Sequence, residues 1–165
     1  MPSTYEPIAT TTLSSTASTV TFSSISGAYT DLILIQSSRL NTAAHTRLQF
    51  NGDTGSNYSS TILYGTGTAA GSGRYTNVVG ISYGASDEQG ATNTYNVAQW
   101  HLQNYANTTT NKTVLINVSN PLAERTVGAG LWRNTNAITS VVLTPTNSAI
   151  YQIGSTFTLY GVKSA

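Results

Sequence analysis

Apolar and polar residues alternate with a period of two along most of this chain. The alternation is clear in the segments VTF at 20–22, LQF at 48–50, AQWHL at 98–102 and VLINV at 114–118. A period of two places alternate side chains on one face of a β-strand. The pattern predicts about nine or ten strands, within residues 8–13, 18–22, 31–38, 45–50, 76–83, 93–105, 112–118, 126–133, 138–143 and 156–162.

The segment 21–57 organises the prediction because it holds the most apolar run of the chain, Leu32-Ile33-Leu34-Ile35. Four consecutive aliphatic residues lack the alternation of a strand with one solvated face, so this run predicts a central strand buried on both faces. An alternating strand follows at 45–50, and the loop NGDTGSN at 51–57 closes the segment.

Other segments depart from the simple alternation. Residues 58–64 (YSSTILY) are interpreted as a short helix rather than a strand, and the glycine-rich residues 65–73 as a flexible loop. Residues 85–92 are expected to form a polar connection. Gly128 and Gly130 interrupt a strand, which indicates either a β-bulge or a close backbone approach.

Many short strands with almost no helix predict an all-β fold. We expect a jelly-roll-like β-sandwich of about 8–10 strands with at most one short helix, and an immunoglobulin-like sandwich is the second choice. The length of 165 residues suits one domain. The predicted organisation is an extended N-terminal arm at 1–7, since Pro2 and Pro7 exclude a helix, and a single β-sandwich domain at 8–165.

The composition adds an expectation about the surface. Charged residues make up 8% of the chain and the formal net charge is +1, so there is little charge repulsion between copies. Such a surface suits a protein that packs against copies of itself or a larger assembly. The alternative is an extracellular binding domain.

The residues offer little chemistry. The absence of cysteine excludes disulfides, thiolate catalysis and Cys-ligated zinc. His45 and His101 have no metal-ligand spacing and fall on the polar phase of their strands, which favours solvated or interface histidines. The glycines at 65–73 match no phosphate-binding motif, and the basic residues are dispersed. We therefore predict no catalytic residue, no metal site, no cofactor, no nucleic-acid partner and no membrane partner.

Two features leave alternatives open. Asn51, Asp53 and Asn57 could supply oxygens to calcium, but with one carboxylate among them a turn stabilised by side-chain hydrogen bonds is favoured. The ten tyrosines are interpreted as core or subunit-interface residues, with a carbohydrate-binding surface as the alternative. The N-terminus lacks the pattern of a signal peptide, and no apolar run is long enough for a membrane span.

Three segments carry a resemblance to a known group. They are FSSISGAYTDLIL at 22–34, LQFNGDTGSNY at 48–58 and GSTFTLYGVK at 154–163. In this order, they resemble small structural proteins of tailed bacteriophages. The resemblance covers the front third of the chain and its last ten residues.

The resemblance implies a non-enzymatic virion component, assembled in the host cytoplasm, and most directly a capsid decoration (cement) protein. Expected partners are copies of the chain itself, as a homotrimer, and the major capsid protein or tail proteins of the same particle. The hypothesis for the assembly contact is the N-terminal arm, with Tyr5, Pro7 and Ile8 as contact residues. The alternative is a tail or fibre component that recognises host-surface glycan through Tyr and Trp at loop tips. A third interpretation, a glycan-cleaving tail enzyme, requires two acids in one groove.

Overall fold

The computed structural model describes residues 4–82 and 93–163, and these residues form an antiparallel two-sheet β-sandwich. Their elements are β1 (Tyr5–Thr12), β2 (Val20–Phe22), β3 (Asp31–Ser38), β4 (Thr46–Phe50), β5 (Tyr58–Gly65), β6 (Ala70–Val78), β7 (Ile81–Ser82), β8 (Asn96–Gln103), β9 (Lys112–Asn120), β10 (Glu124–Trp132), β11 (Val141–Pro145) and β12 (Thr156–Val162). The all-β sandwich prediction is confirmed, and the described residues contain no helix.

The two sheets differ in size. The large sheet has eight strands in the order β1-β12-β3-β8-β9-β10-β5-β6, and the small sheet has four in the order β2-β11-β4-β7. The core lies between their inner faces, where the alternating apolar residues meet. Its largest fully buried side chains are Trp100, Trp132, Tyr58, Tyr105, Tyr151, Phe50 and Phe157.

The predicted helix at 58–64 is wrong, because these residues form strand β5. Tyr58, Ser60 and Ile62 are buried while Thr61 and Leu63 are exposed, which is the period of a strand. Along its whole length β5 pairs with β10 on one side and β6 on the other. Pairing with a segment some sixty residues away decides the conformation of a sequence whose local pattern is ambiguous.

The predicted loop at 65–73 is also too long. β6 already begins at Ala70, and only residues 66–69 turn, closed by a 2.9 Å bond from Thr66 N–H to the Ala69 carbonyl. The strand predicted at 76–83 is split: its first part ends β6 and its second part forms β7, so the chain changes sheets at Val79–Gly80. With β5 and this division, the described residues form twelve strands instead of the eight to ten predicted for the chain.

The prediction that β3 is a central strand is confirmed, but its burial on both faces is only partly correct. Leu32, Ile33 and Leu34 are buried, whereas Ile35 is exposed on the outer face of the large sheet. The small sheet covers only the inner face of the large one.

The sequence predicts an arm at residues 1–7 and a domain from residue 8, but strand β1 runs across this boundary without a break. Tyr5, Glu6 and Pro7 pair with Val162, Gly161 and Tyr160 of β12 as part of β1. Residues 1–3, the 85–92 connection and Tyr83 lie outside the described residues.

Candidate contact surface

The outer face of the large sheet exposes an unusual number of aliphatic side chains. We define the outer apolar patch as Ile35, Leu63, Val97, Leu115 and Val127, whose exposed fractions are between 39% and 59%. They come from the adjacent strands β3, β8, β9, β10 and β5. Single exposed apolar residues are normal on a protein surface, whereas a group of them on one sheet face makes that face a candidate contact surface.

Strand register places four of these residues in two neighbouring rows across the sheet, and puts Val97 in the adjoining row, between Ser37 and Ser119. One row reads Ile35, Gln99, Asn117, Val127 and Leu63, and the next reads Ile33, His101, Leu115, Ala129 and Thr61. Because neighbouring strands are about 4.8 Å apart, four strands span roughly 14 Å. The small side chains Ala129 and Thr61 leave a groove of about 570 Å³ across β8, β9, β10 and β5.

The polar groups of this groove are amides and one histidine. Gln99 and Asn117 are direct cross-strand partners. His101 lies in the groove with its Nε2 3.0 Å from Asp31 Oδ2. The other oxygen of Asp31 accepts the Asn104 backbone N–H at 2.7 Å, so this carboxylate also fixes the turn after β8. The prediction of a partly solvated histidine on the polar phase of its strand is confirmed for His101.

No metal site is visible in residues 4–82 and 93–163, where no three His, Asp or Glu side chains cluster. His45, also half-buried, comes just before β4 of the small sheet, so the fold does not place it beside His101.

The described carboxylates do not form a catalytic pair in this groove or in a second cavity beside β6 and β7. Neither cavity is lined by an acid among the described residues. Each of the four has a partner elsewhere: Glu6 with Lys163, Asp31 with His101, Asp53 with Trp132, and Glu124 with Thr126.

The predicted assembly residues lie in β1, at one edge of the large sheet. Tyr5 is 55% exposed and Pro7 is exposed, whereas Ile8 packs against the core. A register shift between Pro7 and Ala9 turns Ile8 inward. The structure therefore brings Tyr5 and Pro7 together at an exposed edge, and leaves Ile8 a packing role.

The loop at 51–57 is a structural turn, as predicted. Asp53 accepts hydrogen bonds from the Gly55 backbone N–H at 2.8 Å, from the Asn57 amide at 3.0 Å, and from Trp132 Nε1–H at 2.7 Å. Asn51 accepts the N–H groups of Thr139 and Ser140 with its side-chain oxygen. The side-chain oxygens of Asn51 and Asp53, which were considered for calcium, are thus occupied by the protein's own donors, and the Asn57 amide is one of these donors.

The hydrogen bonds to Asp53 predict an acid-dependent loss of stability. The Trp132 indole N–H lowers the pKa of Asp53 below its ordinary value of 3.8, against the opposing effect of burial, with help from Asn57 and Gly55. A lowered pKa in the folded state contributes stability that is present above pH 3.8 and lost as the pH falls through the folded pKa. Urea unfolding at a series of pH values should show this loss in the native chain.

The matched control for this prediction is Asp53→Asn, which keeps the shape and an acceptor oxygen but cannot titrate. Below pH 3.8 the difference in unfolding free energy between the native chain and the variant should narrow. The same pH dependence in both proteins would contradict the assignment.

The tryptophans are excluded as a glycan-binding platform. Trp100 and Trp132 are 0% and 1% exposed, so neither stands at a loop tip as the glycan-recognition alternative requires. Tyr58, Tyr105 and Tyr151 are buried in the core as predicted, while Tyr5 and Tyr75 are exposed.

The outer apolar patch was missed in the sequence. Three of its residues could have indicated it: Val97, Leu115 and Val127 are apolar, yet they occupy strand positions where the alternation predicts a solvent-facing side chain. No membrane-spanning helix occurs in the part of the chain that the structure describes.

Comparisons with known proteins add little to this picture. No family model matches the chain, and comparison with curated proteins gives no match. Among solved structures, the alginate lyase Aly36B is 12% identical at a TM-score of 0.31, covering 86% of this chain and 79% of that chain. A double mutant of that lyase in complex with alginate tetrasaccharide is 9% identical at a TM-score of 0.26, covering 76% and 70%. Similarities this weak carry no argument about this chain.

Proposed function

We propose that the protein is a non-enzymatic structural component of a tailed-phage virion, and specifically a capsid decoration (cement) protein. The observation that carries the proposal is the outer apolar patch on the uncovered face of the large sheet. Exposed aliphatic side chains on a rigid sheet are suited to packing against another protein surface. The resemblance of residues 22–34, 48–58 and 154–163 to phage structural proteins supports the same assignment.

The low charge of the chain supports an assembled state. The net charge of +1 leaves only weak repulsion between copies, and the patch contains no charged side chain that would have to be desolvated on contact. In this proposal the patch contacts a second copy or the capsid lattice, and the edge carrying Tyr5 and Pro7 reaches a neighbouring subunit.

The copy number in purified virions tests the proposed function. Particles are banded on a density gradient and the protein is quantified against the major capsid protein by mass spectrometry. Decoration predicts hundreds of copies in each particle. A dozen or fewer would instead assign the chain to the tail, and its absence from particles would overturn a virion role.

A substitution in the patch tests the surface itself. Leu115→Glu should greatly reduce particle occupancy because it places a charge at the centre of the groove, while stability changes by only about 0.5 kcal/mol, as is usual for surface positions. Leu122→Glu is the matched control, since Leu122 is 61% exposed in the turn between β9 and β10. Equal occupancy of the two variants would show that the patch is not the contact surface.

A further inference from the structure

A second cavity of about 420 Å³ lies where the chain passes from the large sheet to the small one. Its walls come from the end of β6, the crossing at Val79–Gly80, and the neighbouring strands of the small sheet. Its lining residues are His45, Arg47, Ser60, Tyr75, Val78, Val79, Gly80, Ser82 and Thr146. It is separate from the groove of the outer apolar patch, with which it shares no lining residue.

Arg47 is held in place by the crossing segment. A Cβ atom at Gly80 would lie 2.5 Å from Arg47 Cγ and 2.7 Å from the Leu48 carbonyl, so only glycine allows the chain to pass this close to the arginine stem. The Gln49 amide donates to the Val79 carbonyl at 2.7 Å and fixes the crossing. The arginine is thereby held against the backbone at the cavity wall.

The guanidinium of Arg47 has no partner among the described residues. Its Nε is buried without a hydrogen bond. The four described carboxylates are engaged by Lys163, His101, Trp132 and Thr126. A partly buried cation beside an open cavity, with no counter-charge among residues 4–82 and 93–163, is suited to an anionic ligand.

The rest of the cavity limits the kind of anion. Val78, Val79 and the ring of Tyr75 supply apolar surface, and Thr146 adds a hydroxyl. Thr146 is itself fixed to the start of β4 by its N–H, which donates to the His45 carbonyl at 2.9 Å. A planar guanidinium binds a carboxylate with two parallel hydrogen bonds, and apolar walls select a ligand with an apolar body.

We propose that this cavity binds a small carboxylate with an apolar body, with Arg47 as the residue that pairs with the carboxylate. The apolar body packs on Val78, Val79 and Tyr75. This site is independent of the proposed virion role, because it uses other residues than the outer apolar patch.

Titration of the full chain with benzoate, followed by amide NMR shifts, tests the proposal. Benzoate should bind with a Kd on the order of 1 mM, a value expected for a ligand of this size, and should shift the amides of Val78, Val79 and Gly80. Benzamide has the same shape without the charge and should bind at least about 10-fold more weakly. Equal binding of benzoate and benzamide, or no shift with benzoate, would overturn the proposal.

Two variants connect the binding to Arg47. Arg47→Gln should weaken benzoate binding about 10- to 100-fold, as the loss of a charge-assisted hydrogen bond predicts. Arg125→Gln is the matched control, because Arg125 is exposed on β10 away from the cavity, and should bind benzoate like the native chain. Unchanged binding by Arg47→Gln would overturn the assignment.

Val79→Asp keeps Arg47 and gives a second test if the arginine variant does not fold. Val79 is 37% exposed at the cavity wall, so the new carboxylate can pair with Arg47 and compete with the ligand. Benzoate binding should be lost in this variant, and binding at the native level would contradict the proposed site.

Titration of the native chain with inorganic phosphate tests whether the apolar walls select the ligand. If phosphate binds as well as benzoate, the walls do not select the ligand and the carboxylate proposal is wrong.

Discussion

Replacement of Trp132 with alanine is expected to lower the free energy of unfolding by about 3–5 kcal/mol, the usual cost of deleting a buried tryptophan. Trp132 is 1% exposed at the end of β10. Its ring stacks on Tyr58 with 6.1 Å between ring centroids, and it contacts Phe50 at a centroid distance of 5.5 Å. The three aromatic rings join both sheets, because Phe50 belongs to the small sheet and the other two to the large one.

The indole also attaches the 51–57 loop to the core, through its N–H bond to Asp53. Trp132→Phe keeps most of the ring volume but loses this charge-assisted bond, so we expect it to cost about 1.5–3 kcal/mol. Equilibrium unfolding in urea of both variants separates the packing contribution from the hydrogen bond.

A double-mutant cycle with Asp53→Ala is the control. If the lost hydrogen bond causes the destabilisation, Trp132→Phe should lower the free energy of unfolding much less when Asp53 is already alanine. The coupling energy should then be about 0.5–3 kcal/mol. Additive effects would mean that the loop is held by its other hydrogen bonds.

Strand positions were predicted correctly from the sequence where the residues alternate strongly or are uniformly apolar. The bounds of β3 and β12 agree with the prediction because their apolar residues leave one possible conformation and register. β5 was mistaken for a helix because its conformation depends on distant partners in β10. The first part of β6, up to residue 73, was mistaken for a loop because an edge strand with glycines and exposed side chains has no apolar alternation.

The candidate sites depend even more on long-range structure. In the sequence Leu115 and Val127 have the pattern of ordinary strand residues. Only the topology shows that the small sheet packs on the opposite face of the large sheet and leaves them exposed among the described residues. Arg47 is a candidate ligand-binding residue only because the crossing at Val79–Gly80 packs against its aliphatic stem. This crossing lies more than thirty residues from Arg47 in the sequence. Neither relationship is present in a local pattern.

The two sites use different parts of the sandwich. The outer apolar patch lies on the large sheet, whereas the Arg47 cavity opens beside β4 and β7 of the small sheet. A molecule attached through the patch therefore keeps Arg47 free to bind a ligand. The two proposals therefore do not exclude each other.

Replacement of Gly130 with valine is expected to lower the free energy of unfolding by about 2–3 kcal/mol, because it overpacks the contact between the sheets. A Cβ atom at Gly130 would lie 2.4 Å from Ile81 Cγ2, and Ile81 is completely buried in β7 of the small sheet. Of the two predicted explanations for this glycine, the close approach is correct and the bulge is wrong, since β10 pairs with both neighbours without a register shift.

The partner substitution Ile81→Ala tests this contact directly. Alone, Ile81→Ala should cost about 2–5 kcal/mol by leaving a cavity. Combined with Gly130→Val, the added side chain can fill that cavity, so the double variant should be more stable than the sum of the two changes predicts, by about 0.5–3 kcal/mol in urea unfolding. Additivity would contradict a direct contact. A glycine is required at this position because β7 has to lie against β10 for the chain to cross from one sheet to the other, and the same crossing forms the Arg47 cavity.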